Sequence, residues 1–248
     1  MDLWLRIIIL AILGYALGNW SMARMISWRT TRTSITTKGS GNPGTMNIVR
    51  TYGWKKGALV LILDVIKGAV PALAGNLLLE YGMDGKAFNP SVLGVYVGGA
   101  AVILGHVFPI VFKFKGGKGV ACGIGVFLVA DPILMIAVFF LGALILYVTE
   151  YGFIMSLFYI LAMAVLQIVQ ICTGTRFINI LGDPPLEMTK HVIASVVLIC
   201  VMAVLIIIMH RENFARLFKG KENKTSLRKA FQERRAKKLA AKEKTVVK

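Results

Sequence analysis

About 20 consecutive apolar residues in a helix rising about 1.5 Å per residue cross the roughly 30 Å of hydrocarbon in a bilayer. This chain of 248 residues has such runs at Leu3–Met22, Gly57–Leu79, Ser91–Phe112, Phe153–Ile171 and His191–Met209. One more, from Val120 to Val148, is too long for one ordinary span and contains Asp131-Pro132, the mark of a hairpin turn. Its first arm, Val120–Ala130, is short. It crosses only if the chain enters from a re-entrant loop, which is tolerated at membrane depth where it lines a cavity. The pattern predicts an all-α, polytopic integral membrane helix bundle of about seven transmembrane helices; five spans with a re-entrant pair is the competing count. Composition agrees: 56% of residues are hydrophobic, above the share usual in soluble domains.

Lysine and arginine give the orientation, because they favour the cytoplasmic side. With seven spans, one side holds residues 23–56, 113–119, 149–152 and 210–248, which carry 24 of the 29 basic residues. The other side holds Arg6, Lys86, Arg176 and Lys190, and Lys67 falls within a span. An N-terminus outside and a C-terminus in the cytoplasm follow, in the cell (inner or plasma) membrane. The start, Met1-Asp2-Leu3-Trp4, lacks the basic region of a signal peptide, so the first run reads as an uncleaved span. Residues 1–218 form the transmembrane unit and 219–248 a basic cytoplasmic tail, helical or disordered, suited to anionic lipids. No nucleic-acid module is recognisable. Cys122, Cys172 and Cys200 have no metal-type spacing and read as packing residues.

Polar residues gather on the basic side. Between Lys38 and Arg50, Gly39, Gly41 and Gly44 alternate with Ser40, Asn42, Thr45 and Asn47, in a loop from 23 to 56 without a single acid. Exposed N–H groups and short polar side chains there suit a phosphate, or an ordinary turn. Lys113, Lys115, Gly116, Gly117, Lys118 and Gly119 open an apolar helix and read as a second anion cradle. It is not a Walker A loop, since no Ser or Thr follows Lys118. Asp64 and Lys67, three apart in one span, share a face and read as an ion pair bracing the bundle. His210 and Asn213, also three apart, end the last span facing one pocket. No metal cluster, paired carboxylates or nucleophile elbow is visible in the sequence.

These residues resemble the bacterial acyl-phosphate-dependent glycerol-3-phosphate acyltransferase family. Gly39 to Asn47 with Arg50 is similar to its first motif, Leu63 to Gly68 to its second-helix signature, Gly105 to Ala121 to its central motif, and His210 to Asn213 to its last. The resemblance runs nearly to residue 222. It implies acyl transfer from acyl phosphate to the sn-1 hydroxyl of glycerol 3-phosphate, giving lysophosphatidic acid and phosphate, with no cofactor and no metal. It implies Ser40, Lys118, His210 and Asn213 as catalytic, and Asn42, Asn47, Arg50, Lys113, Lys115, Gly116 and Gly117 as substrate-binding. Asp64, Lys67 and Glu212 would give structural support, and the soluble enzyme that makes acyl phosphate is a candidate partner. The chain departs from the pattern at Pro43 to Asn47 and at Thr149-Glu150-Tyr151, where an acid replaces a base. A paralogue acting on another phosphate-bearing acceptor, or a small anion transporter, is the competing reading. A transporter would be expected to show internal repeats.

Overall fold

The structure, a computed structural model, describes residues 2–80, 93–173 and 190–226. Among these there are helices and no strand. Six helical segments are long and apolar enough to cross a membrane: Leu3–Thr31, Trp54–Leu79, Leu93–Phe112, Pro132–Thr149, Gly152–Thr173 and His191–Met209. Val120–Ala130 is apolar but shorter. Ser91, Lys86, Arg176 and the tail beyond Ser226 lie outside the described residues.

The outer faces of the spans explain why the medium must be lipid. On the helix Trp54–Glu80 (α4, following α1 Leu3–Gly18, α2 Met22–Thr31 and α3 Thr45–Tyr52), the exposed residues include Leu59, Ile62, Ile66, Val70, Leu73 and Leu77. Their spacing of three and four is one continuous helical face. In a soluble protein that face would be polar. Here the apolar stripe points outward.

Inside the bundle, small residues let backbones touch. α4 lies against α5 (Leu93–Val107) and α6 (Val120–Ala130), and α5 also packs on α1. A Cβ at Gly94 of α5 would sit 2.0 Å from Gly75 O of α4. A Cβ at Gly68 would sit 2.1 Å from Cys122 O of α6. Such close approach gives helices in lipid their dispersion contacts, since hydrophobic burial contributes little there.

The Asp131-Pro132 pair does break the long apolar run. α6 stops at Ala130 and α7 spans Pro132–Thr149, with Pro132 in the first turn, where its missing N–H costs nothing. Asp131 caps α7 by accepting from Leu134 N at 2.9 Å. Its other oxygen accepts from Gln170 of α8 (Gly152–Thr173), which accepts from Gln167, which in turn accepts from Tyr96 of α5. This buried chain of partners offsets the cost of burying each polar group and fixes α5, α7 and α8 together.

The first span differs from expectation. Instead of one helix over Leu3–Met22, α1 ends at Gly18 and a separate α2 starts after Ser21, whose hydroxyl accepts from Arg24 N at 3.4 Å. A Ser cap with a basic sequence behind it makes an independent helix of what the sequence reading treats as loop. The last span, α9 (Lys190–Met209), turns at His210 into the short α10 (Arg211–Phe218).

Candidate active site

A cavity of about 290 Å³ opens where α3, α4, the loop before α6, the helices α6 to α8 and α10 come together. Polar lining comes from Ser40, Asn42, Asn47, Arg50, Lys118, Asn213 and Arg216, and Asp64 and His106 also reach it. Apolar lining comes from α6, α7 and α8 through Ile124, Phe139, Leu146, Phe153 and Tyr159. The cavity therefore has the two surfaces an amphiphile needs: cations and amides for a polar head, hydrocarbon for a chain.

The loop 38–44 is organised by Asn47. That residue is 1% exposed, and its amide nitrogen donates to Lys38 O at 2.9 Å and Asn42 O at 3.1 Å, with Ile35 O at 3.3 Å. Its amide oxygen accepts from Ser40 N at 3.0 Å. Gly39 has φ +55, and a Cβ there would lie 2.2 Å from the Asn47 oxygen, so only glycine fits. Asn47 thus shapes the loop that presents Ser40 and Asn42. It also lines the cavity, and with its amide bonded to this loop it positions Ser40 and Asn42 there.

The loop 113–119 is also different from a simple cradle. Gly116 N donates to Val107 O and Gly117 N to His106 O, both at 3.1 Å, so these N–H groups are already spent. A Cβ on Gly116 would lie 2.0 Å from His106 O, and one on Gly117 would lie 2.2 Å from His106 Nε2. The glycines let the loop fold flat against the end of α5, instead of wrapping an anion. Lys113 and Lys115 are exposed and do not line the cavity, and Lys115 O accepts from Arg24 at 2.7 Å. Lys118 alone of the three lysines reaches the cavity. Beside it, Gly119 precedes the first residue of α6 and offers no side-chain cap, and Gly119, Val120 and Ala121 line the cavity. The first N–H groups of a helix lack intrahelical acceptors, so this end favours an anion.

Lys118 belongs to a connected polar cluster. Its ammonium donates to Asn213 Oδ1. Asn213 donates to Glu222 Oε1 at 2.7 Å, and Arg216 Nε donates to Glu222 Oε2 at 2.8 Å. Arg50 approaches from α3, donating to Thr225 Oγ1 at 2.9 Å and Asn223 O at 3.1 Å. Burial, with Arg216 next in effect, lowers the Lys118 ammonium to about 8, although Glu222 and Glu212 oppose this. Glu212 is exposed and 3.8 Å from Arg216, a surface pair of small energetic weight.

A second cluster lies deeper. Lys67 Nζ is 3.2 Å from Asp64 Oδ1, and it donates to Trp20 O at 2.7 Å, Gly18 O at 3.3 Å and His106 Nδ1 at 2.9 Å. Asp64 and Lys67 are 1% and 3% exposed, and removing either partner of such a pair strands a buried charge. Asp64, His106 and Cys122 offer ligand atoms within 4.8 Å of one another. The Lys67 ammonium sits against the first two, which gives that position a cation already.

His210 is 2% exposed and is not among the residues lining the cavity. Its Nδ1 lies 2.8 Å from Ile206 O. Burial, then the nearby Lys118 charge, push the imidazole down to about 4, so it is neutral at physiological pH. A neutral ring hydrogen-bonded to Ile206 O serves the α9–α10 corner.

Ser40, Asn42, Arg50, Lys118 and Asn213 are thus brought to one cavity from three separated stretches. The sequence reading missed two neighbours. Arg216 reads as an interfacial anchor, yet it stands three residues after Asn213 on the same helical face, and that spacing was the available signal. Glu222 sits among Lys219, Lys221 and Lys224, where nothing local distinguishes it from a solvated tail.

Comparison with known proteins gives the family. The family model described as glycerol-3-phosphate acyltransferase matches residues 8–220. The chain belongs to the glycerol-3-phosphate acyltransferase family. A relative of that description from Syntrophotalea carbinolica is 34% identical over 216 residues, covering 87% of this chain and 96% of the relative. Another, from Thermoanaerobacter pseudethanolicus, is 30% identical over 217 residues, covering 88% and 94%. Among solved structures, the glycerol 3-phosphate form of the integral membrane glycerol 3-phosphate acyltransferase PlsY (YgiH) superposes with a TM-score of 0.71 at 27% identity, covering 91% of this chain and 98% of that one. The lysophosphatidic acid form of PlsY superposes at 0.67 with 28% identity, covering 89% and 95%. Like the integral membrane protein PlsY, this chain is a membrane protein, and its six apolar segments make it multi-pass.

Proposed function

We propose that this chain is a membrane glycerol-3-phosphate acyltransferase of phospholipid biosynthesis, moving an acyl group from acyl phosphate to the sn-1 hydroxyl of glycerol 3-phosphate. The products are lysophosphatidic acid and inorganic phosphate. The observation that carries the reading is Lys118: a half-buried ammonium with a single acceptor among the described residues, at a cavity that also holds a long apolar wall. An ammonium has three N–H donors, so Lys118 retains two for an anion. The two solved PlsY forms, named for glycerol 3-phosphate and lysophosphatidic acid, supply the acceptor and product classes.

Both substrates are anions, and their mutual repulsion is the first obstacle. Lys118, Arg216, Arg50 and the N-terminus of α6 offset it and hold the reacting groups at contact distance, where charge develops on the carbonyl oxygen and on the departing phosphate. The glycerol oxygen forms the new ester bond as the acyl C–O bond to phosphate breaks. Phosphate departs with that electron pair, and the hydroxyl proton passes to a substrate phosphate oxygen. This assignment of the base follows from the side chains around the cavity. Asp64 is paired with Lys67, His106 accepts from Lys67 at Nδ1 and so carries its proton at Nε2, and Glu222 does not line the cavity. The α6–α8 wall takes the acyl chain. With the basic loops in the cytoplasm, soluble glycerol 3-phosphate enters from that side, and the acyl phosphate is supplied by the soluble enzyme that makes it.

The test is phosphate release by purified protein given palmitoyl phosphate, with and without glycerol 3-phosphate. Release that requires the acceptor and yields lysophosphatidic acid supports the assignment. Equal release with and without it, or none from folded protein, overturns it.

A further inference from the structure

The segment after α10 runs back across the cation cluster as a strap. Lys219 to Ser226 has no helix, and it is fastened at three points. Thr225 N donates to Glu150 O at 2.7 Å, Arg50 holds Thr225 Oγ1 and Asn223 O, and Glu222 plugs in between. The Glu222 side chain is 1% exposed, although it lies in a stretch otherwise basic and polar. Its two oxygens take the donors of Asn213 and Arg216, and Asn213 in turn holds Lys118.

That is the set of contacts an anionic oxygen group of a substrate would seek. A carboxylate and a phosphate both present acceptor oxygens to charged N–H donors. Three cations, Arg50, Lys118 and Arg216, gathered at a half-buried cavity repel one another when no substrate is present. One carboxylate relieves that repulsion. Two anionic substrates change the balance: a fixed carboxylate then faces further negative charge in a medium that screens poorly.

We infer that Glu222 sets the affinity of this site for its phosphate-bearing substrate, its carboxylate occupying the cation cluster in the empty protein and giving way when the substrate phosphate binds. The inference rests on the assignment of the cavity to glycerol 3-phosphate. A site whose competent state is a fraction of the population binds with its dissociation constant raised by that fraction. A strap seated nine-tenths of the time weakens binding about tenfold.

The experiment measures the dissociation constant and KM of glycerol 3-phosphate with the full chain in detergent, for wild type, Glu222→Gln and Thr225→Val. Gln removes the charge and one of the two acceptor oxygens. Val removes only the hydroxyl that Arg50 holds, so it tests the strap in a protein with an intact cluster. The expected result is a dissociation constant about tenfold lower for E222Q and about threefold lower for T225V, with KM falling in step. If Glu222 merely positioned Arg216 and Asn213, both constants would rise, and unchanged or raised constants in the two variants overturn the inference. Lys118→Ala separates the two levels of the argument. Normal glycerol 3-phosphate binding in K118A contradicts the site assignment itself. Lost binding in K118A together with unchanged or weaker binding in E222Q contradicts the role of Glu222 alone.

Discussion

Lys67 and Lys118 are the same residue in two environments, and the difference lies in how their donors are used. Lys67 Nζ has four neighbouring acceptors for its three protons: Asp64, Gly18 O, Trp20 O and His106. Lys118 Nζ has one among the described residues, Asn213. A saturated ammonium is structure; it ties α4 to the α1 corner and to α5. An unsaturated one at a cavity is held ready for a ligand. Burial separates them in degree, Lys67 being buried and Lys118 half-buried, but it does not say which one has donors to spare. Counting donors against acceptors does.

The largest effect that would sharpen this contrast comes from Lys67→Met. It leaves Asp64 buried without its cation, and the expected cost is about 3–5 kcal/mol of stability, seen as a large drop in the thermal unfolding midpoint in detergent. A midpoint near wild type would mean that the deep cluster is not structural. Next comes a substitution at the join between the clusters. Gly117 packs on His106 and directly precedes Lys118, so Gly117→Ala must move either the imidazole or the loop. The expected loss is about 1–3 kcal/mol of stability, together with reduced turnover, and an inert substitution would show that the two clusters are uncoupled.

A smaller effect is expected from pH. The Lys118 ammonium, lowered to about 8, is charged below that pH and neutral above it. Because kcat/KM reports the free enzyme, it should fall about tenfold per pH unit above roughly pH 8. Lys118→Arg, which keeps its charge throughout that range, should abolish the basic limb even if its turnover is lower. A limb that persists unchanged in the arginine variant would assign the titration to another group.

The legible parts of the chain were those whose physics is local. Apolar run length gave the helical membrane bundle, with six segments of spanning length and a shorter Val120–Ala130 among the described residues where about seven spans were expected, and Asp131-Pro132 gave the break between α6 and α7, because a cap and a proline act within one turn. Lys118, Asn213, Arg50, Ser40 and Asn42 were found through their motifs and do share a cavity. What stayed hidden depended on contacts between distant stretches. Gly116 and Gly117 read as anion-binding glycines because the sequence cannot show that His106 and Val107 carbonyls take their N–H groups. The loop contacts of Asn47 were hidden for the same reason, its partners being carbonyls of a loop up to 12 residues away. Glu222 carried no local sign at all. Its burial is produced by Arg216 and Asn213 on one side and by Arg50, 175 residues from Thr225, on the other.

The most direct test of the account is acyl transfer by Lys118→Ala, measured as glycerol 3-phosphate-dependent phosphate release from palmitoyl phosphate, with the unfolding midpoint recorded on the same preparation. Loss of a donor aimed at developing charge costs about 10²- to 10³-fold in turnover, and the account predicts a loss of that size with the midpoint nearly unchanged. Turnover within a few-fold of wild type in the folded variant would contradict it, and would place the phosphate-handling group elsewhere in the cavity.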